Sequence, residues 1–290
     1  MQTREQTQER RAAAASSTHS ASPAYPAHCM RTIPSVWTPL PYDDVAAVEP
    51  DDLLAQWSRL HVGQALPAPP PGPLIEGWAL YHSGQFQRAA DIGLQHGADG
   101  LTLANQATAI YANYIEPHEA ARLALFMLVA ERAGMQAVEE PDNCHALYWE
   151  AYSLGRYAQG ISVARALAQG LGGKVKQTLE RVVALEPAHA DAHIALGAFH
   201  AEVIDKVGAL VGNMTYGVRA ETAVAMFERG VALNPYSASA WMEYARGLLM
   251  LDHEAHSAEA TRLYEKAASL PPADARERLD VELARAGLSD

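Results

Sequence analysis

The sequence is poor in the features that mark several special classes of protein. Only two cysteines occur among 290 residues, too few for a disulfide framework, which favours a reducing compartment. No run approaches the ~18 consecutive apolar residues that a membrane-spanning helix requires. Residues 1–30 also contain no apolar segment of the kind found in a secretory signal. We therefore expect a cytoplasmic protein without membrane insertion.

Basic and aromatic residues are scarce as well. The chain has 22 lysines and arginines against 34 aspartates and glutamates, a net charge of −12. Because a general nucleic-acid-binding protein needs a basic surface to neutralise phosphates, we expect no nucleic-acid partner. Aromatic residues make up only 7% of the chain, whereas alanine is abundant and β-branched residues are sparse. This composition predicts packed helices rather than a sheet.

The common catalytic motifs are missing. The sequence contains no Gly-x-Ser-x-Gly nucleophile elbow, no dinucleotide-binding fingerprint and no His-Glu-x-x-His metal motif. Cys144 and His145 are neighbours, but adjacent residues of a helix do not face each other, so they do not form a nucleophile and its base. We therefore predict that the protein is not an enzyme and requires no cofactor.

Two regions differ in composition. Residues 1–45 are rich in serine, alanine and proline, and we expect them to form a disordered tail. Helical patterns begin near Pro50-Asp51 and continue to Leu288, interrupted by glycine, proline and asparagine. This predicts one helical domain over residues 46–290.

A long repeat lies within that domain. VALEPAHADAHIALGAFH (183–200) has a near-copy in VALNPYSASAWMEYARGLL (231–249). Their prolines, Pro187 and Pro235, are 48 positions apart, which is one period of about 34 residues plus an insertion of about 14. We place that insertion at about 203–219. We interpret it either as a flexible lengthening of a helix hairpin or as a flap over a groove.

The residue types at the repeated positions suit two packed helices. Gly197 and Ala223 are small enough to let two backbones approach, and Phe227, Trp241 and Tyr264 are bulky enough to fill the space between repeats. This pattern resembles the tetratricopeptide repeat (TPR). The resemblance implies an all-α fold, a right-handed superhelix of antiparallel helix hairpins.

A narrower resemblance covers residues 143–287. Their insertion-bearing pattern is similar to the group that includes the T-component of bacterial TRAP transporters and the regulators of microtubule dynamics. Repeat proteins of this pattern are common in bacteria, and we expect a bacterial source.

Three histidines raise the question of a metal site. His189, His193 and His200 follow one another at spacings of four and seven, which places them on one side of a helix. A zinc site needs three or four ligands. In the repeat alignment, however, His193 and His200 occupy the positions of Trp241 and Leu248. We interpret them as half-buried packing residues and predict no metal site.

The resemblance implies that the concave face of the superhelix binds a partner. We predict a non-catalytic binding or scaffold protein that holds an unidentified protein or peptide in this groove. The alternative is a small hydrophobic-ligand-binding protein of the T-component type. The predicted groove residues, including two from the insertion, are Trp78, Tyr81, Asn105, Asn113, Glu150, Tyr157, Asp191, Ile194, Glu202, Met214, Tyr216, Met242, Arg246 and Leu249.

Overall fold

The computed structural model describes residues 32–288, and within that range the chain is helical with no strand. None of the helices in this range has both the length and the hydropathy needed to cross a membrane. The helices are α1 (Pro50–Leu60), α2 (Pro73–His82), α3 (Phe86–Gln95), α4 (Gly97–Tyr114), α5 (Glu119–Glu139), α6 (Cys144–Gln159), α7 (Val163–Ala168), α8 (Leu171–Leu185), α9 (Ala190–Val207), α10 (Ala209–Tyr216), α11 (Ala220–Leu233), α12 (Ala238–Leu251), α13 (His253–Ser269) and α14 (Ala275–Gly287).

Local sequence explains where many of these helices begin and end. The side chain of Asn143 accepts hydrogen bonds from two backbone N–H groups at the start of α6, and Asp252 does the same with one at the start of α13. Pro50 and Pro73 open α1 and α2, where a missing N–H group is harmless. Gly217 ends α10 with a left-handed φ of 67°.

The helices pack as successive hairpins. The pairs are α2 with α3, α4 with α5, α6 with α8, α9 with α11, and α12 with α13, while α7 and α10 are short additions to the third and fourth pairs. Gly197 of α9, Ala223 and Phe227 are buried where α9 meets α11. A Cβ atom on Gly197 would lie only 3.0 Å from the Phe227 ring. The predicted all-α solenoid of helix hairpins is therefore confirmed, including its close contact at Gly197.

The first helices of the hairpins form a continuous inner layer that returns to its beginning. Each of α2, α4, α6, α9 and α12 contacts the next, α12 contacts α14, and α14 contacts α2. Two polar pairs hold α14 against the first two helices: His82 of α2 with Asp274, the residue before α14, at 2.5 Å, and Arg59 of α1 with Glu277 at 2.6 Å. The C-terminal helix thus closes the inner layer against α1 and α2.

The segment before α1 also contacts this closed body. The tail was predicted over residues 1–45, of which 1–31 lie outside the described residues. In residues 32–45, the indole of Trp37 stacks on the ring of Tyr111 with centroids 4.3 Å apart. Asp44 lies 3.2 Å from Arg278 of α14. Ile33, Leu40, Tyr42 and Val45 pack against the core as well, so several apolar side chains together hold this segment against the helices.

Candidate binding groove

The inner helices enclose a cavity of about 110 Å³, called here the first cavity. Its lining comes from α4, α6, α8, α9 and α12, with one side chain from α14. On α6, Tyr148, Tyr152 and Gln159 lie four and seven residues apart and therefore share one helix face. On α9, Asp191 and Glu202 are three turns apart and share a face in the same way. Two neighbouring inner helices thus present polar and aromatic side chains to the same space.

An ion pair crosses the first cavity from α6 to α12. Arg156 lies 2.9 Å from Glu243, and the two side chains are only 22% and 16% exposed. Arg246 approaches the same carboxylate at 3.6 Å. Burial raises the pKa of Glu243, but the two guanidinium groups outweigh this effect and hold the pKa below its usual range. Glu243 therefore remains an anion whose charge is already balanced.

A second polar group is supplied by α14. Arg276 lies 3.4 Å from Asp191 and 3.9 Å from Asp280, and the hydroxyl of Tyr114 donates a hydrogen bond to Asp280. Burial raises the pKa of Asp280 to about 6. Burial also raises the pKa of Tyr114, so its hydroxyl stays protonated near neutral pH. The C-terminal helix thus contributes a guanidinium whose partners are both carboxylates.

Glu202 is the groove carboxylate with the weakest pairing. One of its oxygens accepts a hydrogen bond from the amide of Gln159, and the ammonium of Lys206 lies 3.9 Å from the other. Burial raises the pKa of Glu202, and the loose pair with Lys206 does not reverse the shift. The side chain is nevertheless 22% exposed, so a ligand in the groove can reach it.

A second cavity, also of about 110 Å³, lies beside the first and is mainly apolar. Leu167 of α7, Val203 of α9 and Tyr216 of α10 belong to its lining. Phe199 and Glu202 line both cavities, so the two spaces adjoin at these side chains. Together they form the inner groove, which has a polar, charged end and an apolar end with Glu202 at the junction.

The insertion predicted at 203–219 forms one wall of the second cavity. Helix α9 continues through the start of this range, and α10 follows after Gly208. The Tyr216 ring is so close to Gly172 that a Cβ atom there would lie 2.9 Å from it, and it meets the Phe199 ring edge-on with centroids 5.9 Å apart. Met214, in contrast, is 79% exposed. The insertion is therefore helical, and one of its two predicted contact residues reaches the groove.

The predicted groove residues fall into two sets. Asp191, Ile194 and Glu202 line the first cavity, and Glu202 and Tyr216 line the second. The remaining predicted residues lie outside both cavities: Trp78, Tyr81, Asn105, Asn113, Glu150, Tyr157, Met214, Met242, Arg246 and Leu249.

The closure of the inner layer explains several of these positions. Tyr81 is fully buried and packs edge-on against Trp78 in the aromatic core near α14. Met242 is buried in the cluster between α12 and α14. Met242 is covered by α14 itself, and Tyr81 lies in the core on the side to which α14 returns. Asn105 is also completely buried, and neither atom of its amide has a hydrogen-bond partner.

Sequence reasoning identified Asp191 and Glu202 in the first cavity, but it did not identify the other charged and aromatic residues of its lining. A signal for the α6 residues was present, since Tyr148, Tyr152 and Arg156 recur every four residues along one helix face. Glu243 is one helical position away from the predicted Met242, a rotation of about 100°. Arg276 lies beyond the last recognisable repeat, and no local pattern marks it.

The three spaced histidines bind backbone atoms. The Nε2–H of His193 donates to the carbonyl of Pro187 at 3.1 Å, and the Nε1–H of Trp241 donates to the carbonyl of Pro235 at 2.9 Å, each bond spanning six residues. His193 therefore does occupy the position of Trp241 in the previous repeat, as the alignment predicted.

The other two histidines also serve the backbone. Nδ1 of His189 accepts the N–H of Ala192 and caps α9, and Nδ1 of His200 accepts the N–H of Arg219 at the end of the insertion. Across residues 32–288, no group of three or more His, Cys, Asp or Glu side chains is arranged to hold a metal ion.

No protein-family model matches this chain, and no curated protein matches it either. Among solved structures, it is similar to a thermophilic TPR protein of the bacterium Thermus thermophilus, with a TM-score of 0.51 and 18% sequence identity. The similarity covers 74% of this chain and 97% of that one. At this identity the comparison shows a TPR-like fold.

Proposed function

We propose that this chain is a non-catalytic binding or scaffold protein whose inner groove holds a segment of a protein partner. The observation that carries the proposal is the pair of adjoining cavities on the inner helices. Each has a volume of about 110 Å³. Small-molecule sites usually measure roughly 300–1,000 Å³. Two smaller spaces in a row are better suited to successive side chains of one peptide.

The proposed contacts combine both ends of the groove. Asp191, Ile194 and Glu202 would contact the partner in the first cavity, and Tyr216 would contact it in the second. A TPR-like fold supports this assignment because its inner helices form a surface separate from the packing between repeats. The low cysteine content supports a cytoplasmic setting.

A random peptide display library tests this proposal. Ala198 lines the first cavity and is half-buried, so Ala198→Trp would fill the groove. Ala225 is exposed on the outer helix α11, and Ala225→Trp adds the same bulk outside the groove. We expect selected peptides to bind the wild type and Ala225→Trp but not Ala198→Trp. Failure to enrich peptides, or equal binding to folded Ala198→Trp, would refute groove binding.

The apolar second cavity supports one alternative, a small hydrophobic-ligand-binding protein similar to a transporter T-component. In that case a compound with an apolar chain would occupy the space beside Leu167 and Tyr216. Native mass spectrometry of the purified protein distinguishes the two functions. Ala166 lines the second cavity and is half-buried, so Ala166→Trp would fill it, and a retained non-peptide mass that is lost in this variant would favour the alternative.

A further inference from the structure

Glu202 lies where the polar and apolar ends of the inner groove meet. It lines both cavities together with Phe199, while Val203 and Tyr216 belong only to the apolar side. A ligand that occupies both cavities must therefore pass this carboxylate. Because 22% of the side chain is exposed, the carboxylate can bind such a ligand directly.

The other carboxylates of the first cavity are already paired. Glu243 has Arg156 at 2.9 Å and Arg246 at 3.6 Å, and Asp191 has Arg276 at 3.4 Å. For Glu202, by comparison, the pair with Lys206 is loose, at 3.9 Å. Lys206 is 40% exposed and can move into water. Glu202 is thus the groove anion that has most to gain from an additional cation.

We propose that Glu202 binds the cationic side chain, lysine or arginine, of a partner segment, and that a neighbouring apolar side chain of the same segment fills the cavity beneath α7 and α10. This inference rests on the proposed function. It specifies the kind of peptide that the inner groove selects. In the bound state the partner's cation replaces the ammonium of Lys206 beside Glu202.

Charge complementarity selects a basic segment over an acidic one. An acidic side chain at this place would lie beside Glu202, and like charges in a partly buried site repel. The whole chain carries a net charge of −12, which also attracts basic segments at long range. The Phe199 ring lines both cavities at the same junction, and an aromatic ring attracts a cation placed over its face.

The experiment uses a random peptide display library selected in parallel on the full chain and on three variants. Glu202→Gln replaces the carboxylate with a neutral amide of nearly the same shape. Glu265→Gln makes the same change of charge on the exposed side of α13 and serves as the control. Lys206→Met removes the internal competitor. The selected sequences are then synthesised with lysine, glutamine or glutamate at the basic position, and binding is measured by fluorescence anisotropy.

We expect peptides selected on the wild type and on Glu265→Gln to be enriched in lysine or arginine near a bulky apolar residue. Peptides selected on Glu202→Gln should lose the basic enrichment. The lysine peptide should bind the wild type about tenfold more tightly than its glutamine counterpart, and Glu202→Gln should remove that difference. Lys206→Met should bind the lysine peptide more tightly than the wild type does.

Two other results would refute the cation site, and they differ in what they imply for groove binding. If peptides bind in a manner that Ala198→Trp abolishes, but show no basic preference or keep it in Glu202→Gln, the cation site is refuted and groove binding stands. If no peptide is enriched on the folded wild type, the proposed function and the cation site both fail.

Discussion

Nδ1 of His82 lies 2.5 Å from a carboxylate oxygen of Asp274, and this contact joins α2 to the start of α14 across 192 residues of chain. Nε2 of the same imidazole lies 3.1 Å from Nε2 of His61. All three side chains are buried. The pair connects the first hairpin to the start of the last helix and therefore helps to hold the inner layer closed.

We expect Asp274→Ala to destabilise the protein by about 3–5 kcal/mol, because breaking a buried pair leaves its partner without compensation. Asp274 also caps α14 by accepting the N–H of Glu277 at 2.7 Å. Asp252→Ala, which removes only a cap from α13, should cost about 1 kcal/mol and serves as the control. Urea denaturation measures both variants. Equal losses would show that the closing pair adds nothing beyond a cap.

Acid should destabilise the protein between about pH 6.5 and pH 4. Burial lowers the pKa of His145 and of His189 from 6.5 to about 4. Below pH 6.5 the unfolded chain binds protons at these residues while the folded chain does not. The free energy of unfolding therefore decreases as the pH is lowered. A shift from 6.5 to about 4 corresponds to about 3 kcal/mol for each residue. Asp280 has the opposite effect on stability. Its pKa in the folded chain is raised to about 6, so the folded chain binds this proton more tightly than the unfolded chain does.

The pH dependence is measured by urea denaturation at a series of pH values. His145→Gln removes one titrating imidazole and should make the fall in stability less steep. A free energy of unfolding that stays constant between pH 6.5 and pH 4 would contradict this explanation.

Gly197→Leu should destabilise the protein by about 1–3 kcal/mol, because added side-chain atoms would overpack the contact with Phe227. Gly173 is a suitable control, since a Cβ atom on this glycine of α8 would have no neighbour within 4 Å. Gly173→Ala should stabilise the protein by about 0.5–1 kcal/mol by favouring the helix. Thermal unfolding followed by circular dichroism measures both. An unchanged melting temperature for Gly197→Leu would argue against the packed hairpin.

His193→Trp should preserve stability better than His193→Phe. The imidazole donates to the carbonyl of Pro187, and an indole makes the equivalent bond at Trp241 in the next repeat. Phenylalanine has no donor, so the bond would be lost at a cost of about 1 kcal/mol. Tryptophan also lacks the acceptor Nδ1 of His193, which is buried without a partner. The reverse order of melting temperatures would show that ring size matters more than the hydrogen bond.

Local sequence was sufficient to predict the hairpins. The signals that predicted them are local: the spacing of Pro187 and Pro235 gives the repeat length, and the small Gly197 facing the bulky Phe227 marks the contact between two paired helices. Such signals repeat with the period of the fold, and they can be recognised without knowing the rest of the structure. The equivalence of His193 and Trp241 follows from the same spacing.

The predicted tail shows a limit of composition. Residues 32–45 were included in the predicted disordered tail, but Trp37 stacks on Tyr111 of α4, and Ile33, Leu40, Tyr42 and Val45 also pack against the core. These contacts depend on a surface built by distant helices. The average composition of residues 1–45 does not reveal them, because the apolar side chains lie only in the last part of that range.

The sequence by itself determined the helices, their pairing and the inner position of Glu202, because these depend on residues within one repeat. Only the tertiary structure decided that α14 closes the inner layer and brings Arg276 into the groove. Closure depends on the rotation between repeats, and small rotations add up over the whole chain. The arrangement of all the repeats also places Glu202 between a charged cavity and an apolar one. That position is the basis for its proposed role in binding a cationic side chain.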